Sequence, residues 1–142
     1  MEESSLKNRI NEKIEDIENY LDELKEIAPK KLEGYKKDTI KKAACKRYAE
    51  KIIEALEDLA FLMINIKKLN YPEEEYEIFD ILEKNEIISQ NLKKRLKDAK
   101  GMRNRIAHQY GQIDDEIVYR AVKDELNEDA NEFIKSVRIN IK

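Results

Sequence analysis

A broadly apolar helical pattern from about Asp38 to Leu69 constrains the fold more than any other stretch of the chain. Its apolar side chains cover too wide an arc to form one narrow stripe: Ile52, Ile53, Leu56, Leu59, Phe61, Leu62, Met63, Ile64 and Ile66. A helix that is apolar on most of its sides must be surrounded by other elements. The pattern therefore predicts the central helix of a bundle.

Amphipathic helices are predicted on both sides of this centre. Apolar residues recur every three or four positions between Leu6 and Ile27, and a break follows near Pro29 and Gly34. Further on, the segment 70–75 predicts a helix start with Pro72 in its first turn. Two more helices are expected to start at the caps Ser89 and Asp114, and the last buries Ala121, Val122, Leu126, Ala130, Phe133 and Val137. Residues 1–142 thus predict one all-α domain, an antiparallel bundle of four to five helices.

Composition narrows the class of protein. The chain has three glycines and two prolines among 142 residues, which favours helix throughout. The lone Cys45 cannot form an intramolecular disulfide and is expected to be a small buried residue. No apolar run approaches the roughly 20 residues of a membrane span, and the first residues lack the pattern of a signal peptide. We therefore expect a cytoplasmic protein without a membrane segment.

Positive charge is concentrated in one segment although the net charge is −3. Between Leu92 and Arg105 there are seven basic residues and one acid, Asp98. Helical spacing aligns Lys93, Lys97 and Lys100 in what we call the basic row, beside the apolar stripe. The basic row and Arg105 are the candidate contacts for a phosphate backbone.

The segment 101–111 follows the basic row and contains the only histidine of the chain. Asn104 and His108 share one helical face, Arg103 and Tyr110 share another, and Gly111 is suited to end the helix. An arginine, an amide, an imidazole and a phenol can together hold a phosphate and move a proton. The simpler alternative is that His108 only caps the helix end and complements its dipole.

These groups favour RNA cleavage without a metal ion. A neutral imidazole can take the proton of the 2′-hydroxyl, whose oxygen then attacks the adjacent phosphorus. Arg103 can hold the phosphate and stabilise its developing charge. No acidic cluster of the kind that holds Mg²⁺ stands in this stretch, so we predict no metal and no cofactor.

Cleavage by this route needs both a base and an acid, whereas each chain has one histidine. A twofold homodimer that brings two motifs together would supply two imidazoles and two copies of Arg103. We therefore expect each chain to provide half of the site, with catalytic roles for Arg103, Asn104 and His108.

The pattern Arg-Asn-x-x-x-His-x-Tyr, here Arg103, Asn104, His108 and Tyr110, resembles the motif of the HEPN superfamily and its HepT-like branch. The resemblance extends to residues 44–60, 76–79 and 113–119, which are similar to helices of that family. It implies a HEPN-like bundle, a nuclease site shared across a homodimer, and the role of toxin in a toxin–antitoxin pair. It also implies a partner, a minimal nucleotidyltransferase antitoxin that modifies Tyr110 with AMP.

A second interpretation remains open. Some HEPN proteins are non-catalytic and bind a nucleotide or dock on a nucleotidyltransferase, which would make His108 incidental. The sequence also leaves open the roles of four polar residues on the central helix. They could line a site, but most are expected on a solvated face or in pairs within the helix: Arg47, Tyr48, Glu54 and Asp58.

Overall fold

The computed structural model describes residues 2–108 and 113–142, and the predicted all-α antiparallel bundle is confirmed in this part of the chain. Its α-helices are α1 (Glu3–Ile27), α2 (Leu32–Lys37), α3 (Thr39–Ile66), α4 (Ile78–Lys84), α5 (Gln90–His108), α6 (Asp115–Arg120) and α7 (Leu126–Asn140). A 3₁₀ turn, Glu75–Glu77, precedes α4. Among the described residues no helix is both long and apolar enough to cross a membrane.

Helix α3 is the centre of the bundle, as its apolar arc predicts. Asp38 caps it by accepting a hydrogen bond from the Lys41 backbone N–H at 3.0 Å. Helices α1, α4, α5 and α7 all pack against α3. Cys45 is fully buried within it, as expected for a small apolar residue.

Helix α1 buries its predicted stripe against α3, and a short helix that the sequence did not predict follows it. The break is confined to residues 28–31, and Gly34 lies inside α2. Tyr35 of α2 is fully buried, its ring 5.6 Å from that of Tyr119. Tyr119 donates a hydrogen bond to the Pro29 carbonyl at 2.7 Å and so ties the α1–α2 connection to α6.

The two predicted caps after α4 are confirmed, whereas the predicted start of α4 is wrong. The hydroxyl of Ser89 accepts a hydrogen bond from Leu92 N at 3.0 Å, and Asp114 accepts one from Glu116 N at 2.8 Å. Pro72 lies outside any helix, and helical structure begins only at Glu75. The apolar residues that anchor α4 in the core start at Ile78, so packing places the start later than the proline suggests.

The last helical stretch is continuous from Asp115 to Asn140 but contains a π-helical segment, Ala121–Glu125. All six residues predicted to be buried here are buried. A π segment inserts one residue into the helical repeat and rotates the faces on either side of it. Here it joins α6 to α7 where the helix passes α3 and α1.

Candidate functional site

The last two turns of α5 position the described part of the motif. Arg103 is half-buried, while Asn104, Arg105 and His108 are exposed. The apolar stripe of α5, which includes Met102 and Ile106, holds this end of the helix against the core. Tyr110, the predicted site of modification, and Gly111, the predicted helix end, lie outside the described residues.

Arg103 is held by an acid of the central helix. Its Nη2 donates to Glu54 Oε1 at 3.0 Å, and its Nη1 donates to Asn104 Oδ1 at 3.4 Å. The hydrogen bond to Glu54 raises the pKa of Arg103 above its usual range, while burial acts in the opposite direction. The guanidinium is therefore a fixed positive charge whose position depends on α3 as well as on α5.

Arg103 and His108 leave α5 on different sides. Five residues along an α-helix correspond to a rotation of about 140° and a rise of about 7.5 Å. Arg103 points to α3, whereas Asn104 and His108 share the exposed side of the helix. One chain thus presents its arginine and its histidine from two faces of one helix.

The structure corrects the prediction that Lys100 binds RNA. Its side chain is only 10% exposed, and Nζ lies 3.2 Å from Oε2 of Glu57, which is equally buried. Burial raises the pKa of Glu57, and the nearby Lys100 opposes that rise. Lys100 therefore belongs to a buried ion pair between α5 and α3 and does not present its ammonium group to a nucleic acid.

Replacing Lys100 with Met should lower the free energy of unfolding by about 3–5 kcal/mol, because Glu57 would be buried without its cation. The double variant Lys100→Met/Glu57→Met should recover most of this loss. Without Lys100, the burial that raises the pKa of Glu57 acts with less opposition, so the loss is present at neutral pH and should shrink as falling pH protonates Glu57 in the variant. Denaturant unfolding of the three proteins measures both effects, and an unchanged stability of Lys100→Met would contradict a buried pair.

The other members of the basic row contact acids of α4. Lys97 lies 2.7 Å from Asp80, and Lys93 lies 3.1 Å from Glu83 and 3.6 Å from Asp80. Their positive charge is therefore partly neutralised within the chain. Arg105 instead lines a groove between α5 and the π segment, together with Arg95, Asp98, Met102, Glu125 and Asp129.

The sequence analysis named Glu54 as an open residue of the central helix, but it did not predict that a row of acids on α3 faces Arg103. Glu50, Glu54 and Glu57 follow one another at helical spacing on α3, and all three raise the pKa of Arg103. The prediction that no Mg²⁺-binding acidic cluster stands near the motif rested on the motif's own stretch of sequence, where Asp98 is the one acid. An acidic stripe on an otherwise apolar central helix was the signal that a basic partner lies opposite.

The remaining open residues of α3 have separate surroundings. Tyr48 donates a hydrogen bond to Glu23 of α1, Asp58 lies 3.4 Å from Lys13, and Arg47 is exposed. These contacts tie α3 to α1 and lie apart from Arg103. Within residues 2–108 and 113–142, no three His, Cys, Asp or Glu side chains group in a way that could hold a metal ion.

Comparison with known proteins decides the family. The profile of the family described as Ribonuclease HepT-like matches residues 17–137. The chain belongs to the HepT-like family. In this HepT-like chain Arg103, Asn104 and His108 lie in the last two turns of α5, and α3 supports Arg103 through Glu54.

Named relatives agree with this family. The chain is 28% identical to the tRNA nuclease HepT of Aphanizomenon flos-aquae over 113 residues, which cover 80% of this chain and 77% of the relative. The tri-AMPylated HEPN toxin of Shewanella oneidensis, solved in complex with MNT antitoxin, superposes with a TM-score of 0.85 at 25% identity. That match covers 92% of this chain and 96% of the other. A toxin–antitoxin complex with AMP-PNP matches with a TM-score of 0.84 at 25% identity, covering 92% and 97%.

Proposed function

We propose that this HepT-like protein is a metal-independent endoribonuclease and the toxin of a toxin–antitoxin pair. The observation that carries the proposal is the guanidinium of Arg103, which Glu54 of α3 holds in place on α5, the helix that also exposes Asn104 and His108. The nuclease name of the Aphanizomenon relative and the toxin names of the solved neighbours support the same activity.

The proposed reaction assigns a separate task to each group. The His108 imidazole of one copy of the chain removes the proton of the ribose 2′-hydroxyl, and the 2′-oxygen forms a bond to the adjacent phosphorus. The bond from phosphorus to the 5′-oxygen breaks, and a protonated imidazole gives that oxygen its proton. Arg103 stabilises the charge on the non-bridging oxygens, while Asn104 orients the phosphate or the arginine. The products are a 2′,3′-cyclic phosphate and a free 5′-hydroxyl.

The acid and the base come from two copies of the chain in this proposal. A single histidine per chain and the two-sided placement of Arg103 and His108 on α5 both favour a site completed by a second copy. A twofold homodimer would place two imidazoles and two guanidinium groups around one phosphodiester.

The proposed partner is a minimal nucleotidyltransferase antitoxin that transfers AMP to Tyr110. The Shewanella neighbour is described as tri-AMPylated and in complex with its antitoxin, which supports this type of partner. Tyr110 stands two positions after His108 in the sequence. Phosphates attached there would repel the phosphate of an incoming RNA and so inhibit cleavage.

The activity is tested by incubating the purified protein with an RNA, first a tRNA, and with DNA of the same sequence. We expect cleavage of the RNA alone, because DNA lacks the 2′-hydroxyl nucleophile, and little change in EDTA. Cleavage of the DNA as well as the RNA, or complete loss of activity in EDTA, would contradict the mechanism. RNA affinity should fall as salt concentration rises, since phosphate contacts release counterions.

A second candidate, a non-catalytic module that docks on a nucleotidyltransferase or binds a nucleotide, is favoured by one observation. The acids of α3 and α4 partly neutralise Arg103, Lys93 and Lys97, and Lys100 is buried. Such a surface attracts RNA less strongly than the sequence predicts. The two candidates differ in whether His108 is required, which the growth effect of the variant His108→Ala measures.

A further inference from the structure

A second concentration of positive charge lies in α2, the loop before it and the start of α3. Six of its eight basic residues are exposed, and the other two, Lys42 and Lys46, are half-buried. Within residues 2–108 and 113–142, only Lys42 among the eight forms an ion pair, with Asp115 of α6 at 3.1 Å. The lysines of the basic row on α5, by contrast, are all paired with acids. We call these eight cations the basic end: Lys30, Lys31, Lys36, Lys37, Lys41, Lys42, Lys46 and Arg47.

The acids around the basic end do not cancel its charge. Asp38 and Asp114 accept hydrogen bonds from the first turns of their own helices, and Asp115 is taken up by Lys42. The basic end therefore keeps an excess of positive charge in a chain whose net charge is −3. Such an excess is what a phosphate backbone requires. The acids within it or beside it are Glu33, Asp38, Glu50, Asp114, Asp115 and Glu116.

The basic end and His108 lie at the same end of the bundle. The two ion pairs between α5 and α3 advance along one helix as they recede along the other, so the helices run in opposite directions. His108 is about 7.5 Å along α5 beyond Arg103. Arg47 is about 10 Å along α3 from Glu54, the partner of Arg103, in that same direction. Arg47 therefore lies at nearly the height of His108.

Arg47 also lies on the side of α3 that faces α5. It precedes Glu50 and Glu54 by three and seven residues, and all three therefore share one helical side. Ala43 and Ile40 continue this side towards the start of α3 and are exposed, Ile40 by 83%. The side of α3 that holds Arg103 thus continues as an open surface that carries Arg47, with Lys46 next to it in the sequence.

We propose that Arg47 and Lys46 bind RNA phosphates beside the bond that is cleaved, while the rest of the basic end attracts the RNA backbone. This inference deepens the proposed function and rests on it. Arg103 holds the phosphate that reacts, so the neighbouring phosphates of the same strand need separate cations. Arg47 can contact two oxygens of one phosphate, and Lys46 adds a point charge. Neither residue touches the reacting atoms, so both act on binding of the substrate.

The test compares the double variant Lys46→Gln/Arg47→Gln with the wild type. Binding is measured by fluorescence anisotropy with a fully 2′-O-methylated RNA, which has no free 2′-hydroxyl and is not cut. The dissociation constant should rise at least about tenfold at 0.1 M salt. The slope of log affinity against log salt should fall by about 1.4–1.8, since each lost phosphate contact removes about 0.7–0.9. With unmodified RNA, KM should rise while the cleavage rate at saturating RNA stays close to that of the wild type.

Lys67→Gln/Lys84→Gln is the matched control, because it removes the same charge from two exposed lysines that follow the last turn of α3 and end α4. It should leave RNA affinity nearly unchanged. Equal losses in the two double variants would overturn the proposal, because net charge alone would then explain them.

Unchanged RNA affinity in Lys46→Gln/Arg47→Gln would overturn the surface and leave the proposed nuclease intact. If that variant instead loses binding to the nucleotidyltransferase while its RNA affinity is unchanged, the surface serves the protein partner and the proposal is wrong. A fall in the saturated cleavage rate without a change in affinity would also contradict it. A wild type that neither binds nor cuts RNA would overturn the proposed nuclease together with this surface.

Discussion

The variant His108→Ala is expected to cleave RNA about 10²- to 10⁴-fold more slowly than the wild type, because it lacks the group that transfers protons. His108 is exposed at the end of the described α5, so the substitution should leave the core and the unfolding temperature nearly unchanged. Single-turnover cleavage of a labelled RNA measures the loss. Expression in a bacterium without the antitoxin should arrest growth for the wild type and not for the variant.

Ala107→Ser is the control for this experiment, because it alters the exposed neighbour of His108 and removes no proton-transfer group. It should cleave RNA and arrest growth like the wild type. Equal growth arrest by the wild type and His108→Ala would contradict the catalytic role. If neither arrests growth while both bind the nucleotidyltransferase, the docking module is the correct function.

Arg103→Ala should reduce the cleavage rate by about 10²- to 10³-fold, the usual effect of removing one group that stabilises a developing negative charge. Arg103→Lys should recover only part of the rate, because lysine keeps the charge but cannot contact two oxygens at once. The fold should tolerate both changes, since the ion pair to Glu54 is partly exposed and contributes little to stability. Comparison of cleavage rate and RNA affinity separates loss of catalysis from loss of binding.

Glu54→Ala is the matched control, because it breaks the same ion pair but keeps the guanidinium. It should lose less activity than Arg103→Ala, since Arg103 would be less well positioned but still charged. Equal losses in the two variants would mean that the ion pair matters only for structure. Full activity in Arg103→Ala would remove the arginine from the mechanism.

The helices could be predicted from the sequence because each depends on local periodicity and capping. The wide apolar arc of α3 placed it at the centre, and Ser89 and Asp114 identified two helix starts from side chains that cap their own backbone. The π segment Ala121–Glu125 was not predictable in this way. The sequence there has the ordinary spacing of buried residues, and the shifted backbone hydrogen bonds carry no signature in it.

The site was only partly predictable, because its contacts cross between helices. Lys100 follows Lys97 by three residues and was therefore assigned to the basic row, yet its side chain is buried in an ion pair with Glu57 of α3. Arg103 was identified from the motif, but its partner Glu54 lies 49 residues earlier in the sequence. Local spacing gives the direction of a side chain on its helix and does not give the charge that faces it.

The chemistry of the RNA ends tests the central claim most directly. The wild-type protein should cut RNA in EDTA and leave a 2′,3′-cyclic phosphate on one fragment and a 5′-hydroxyl on the other. These ends follow from attack by the 2′-oxygen with His108 and Arg103 as the working groups. Mass spectrometry of the fragments identifies them. Fragments with a 3′-hydroxyl and a 5′-phosphate would contradict the account, because they require attack by water instead of the ribose.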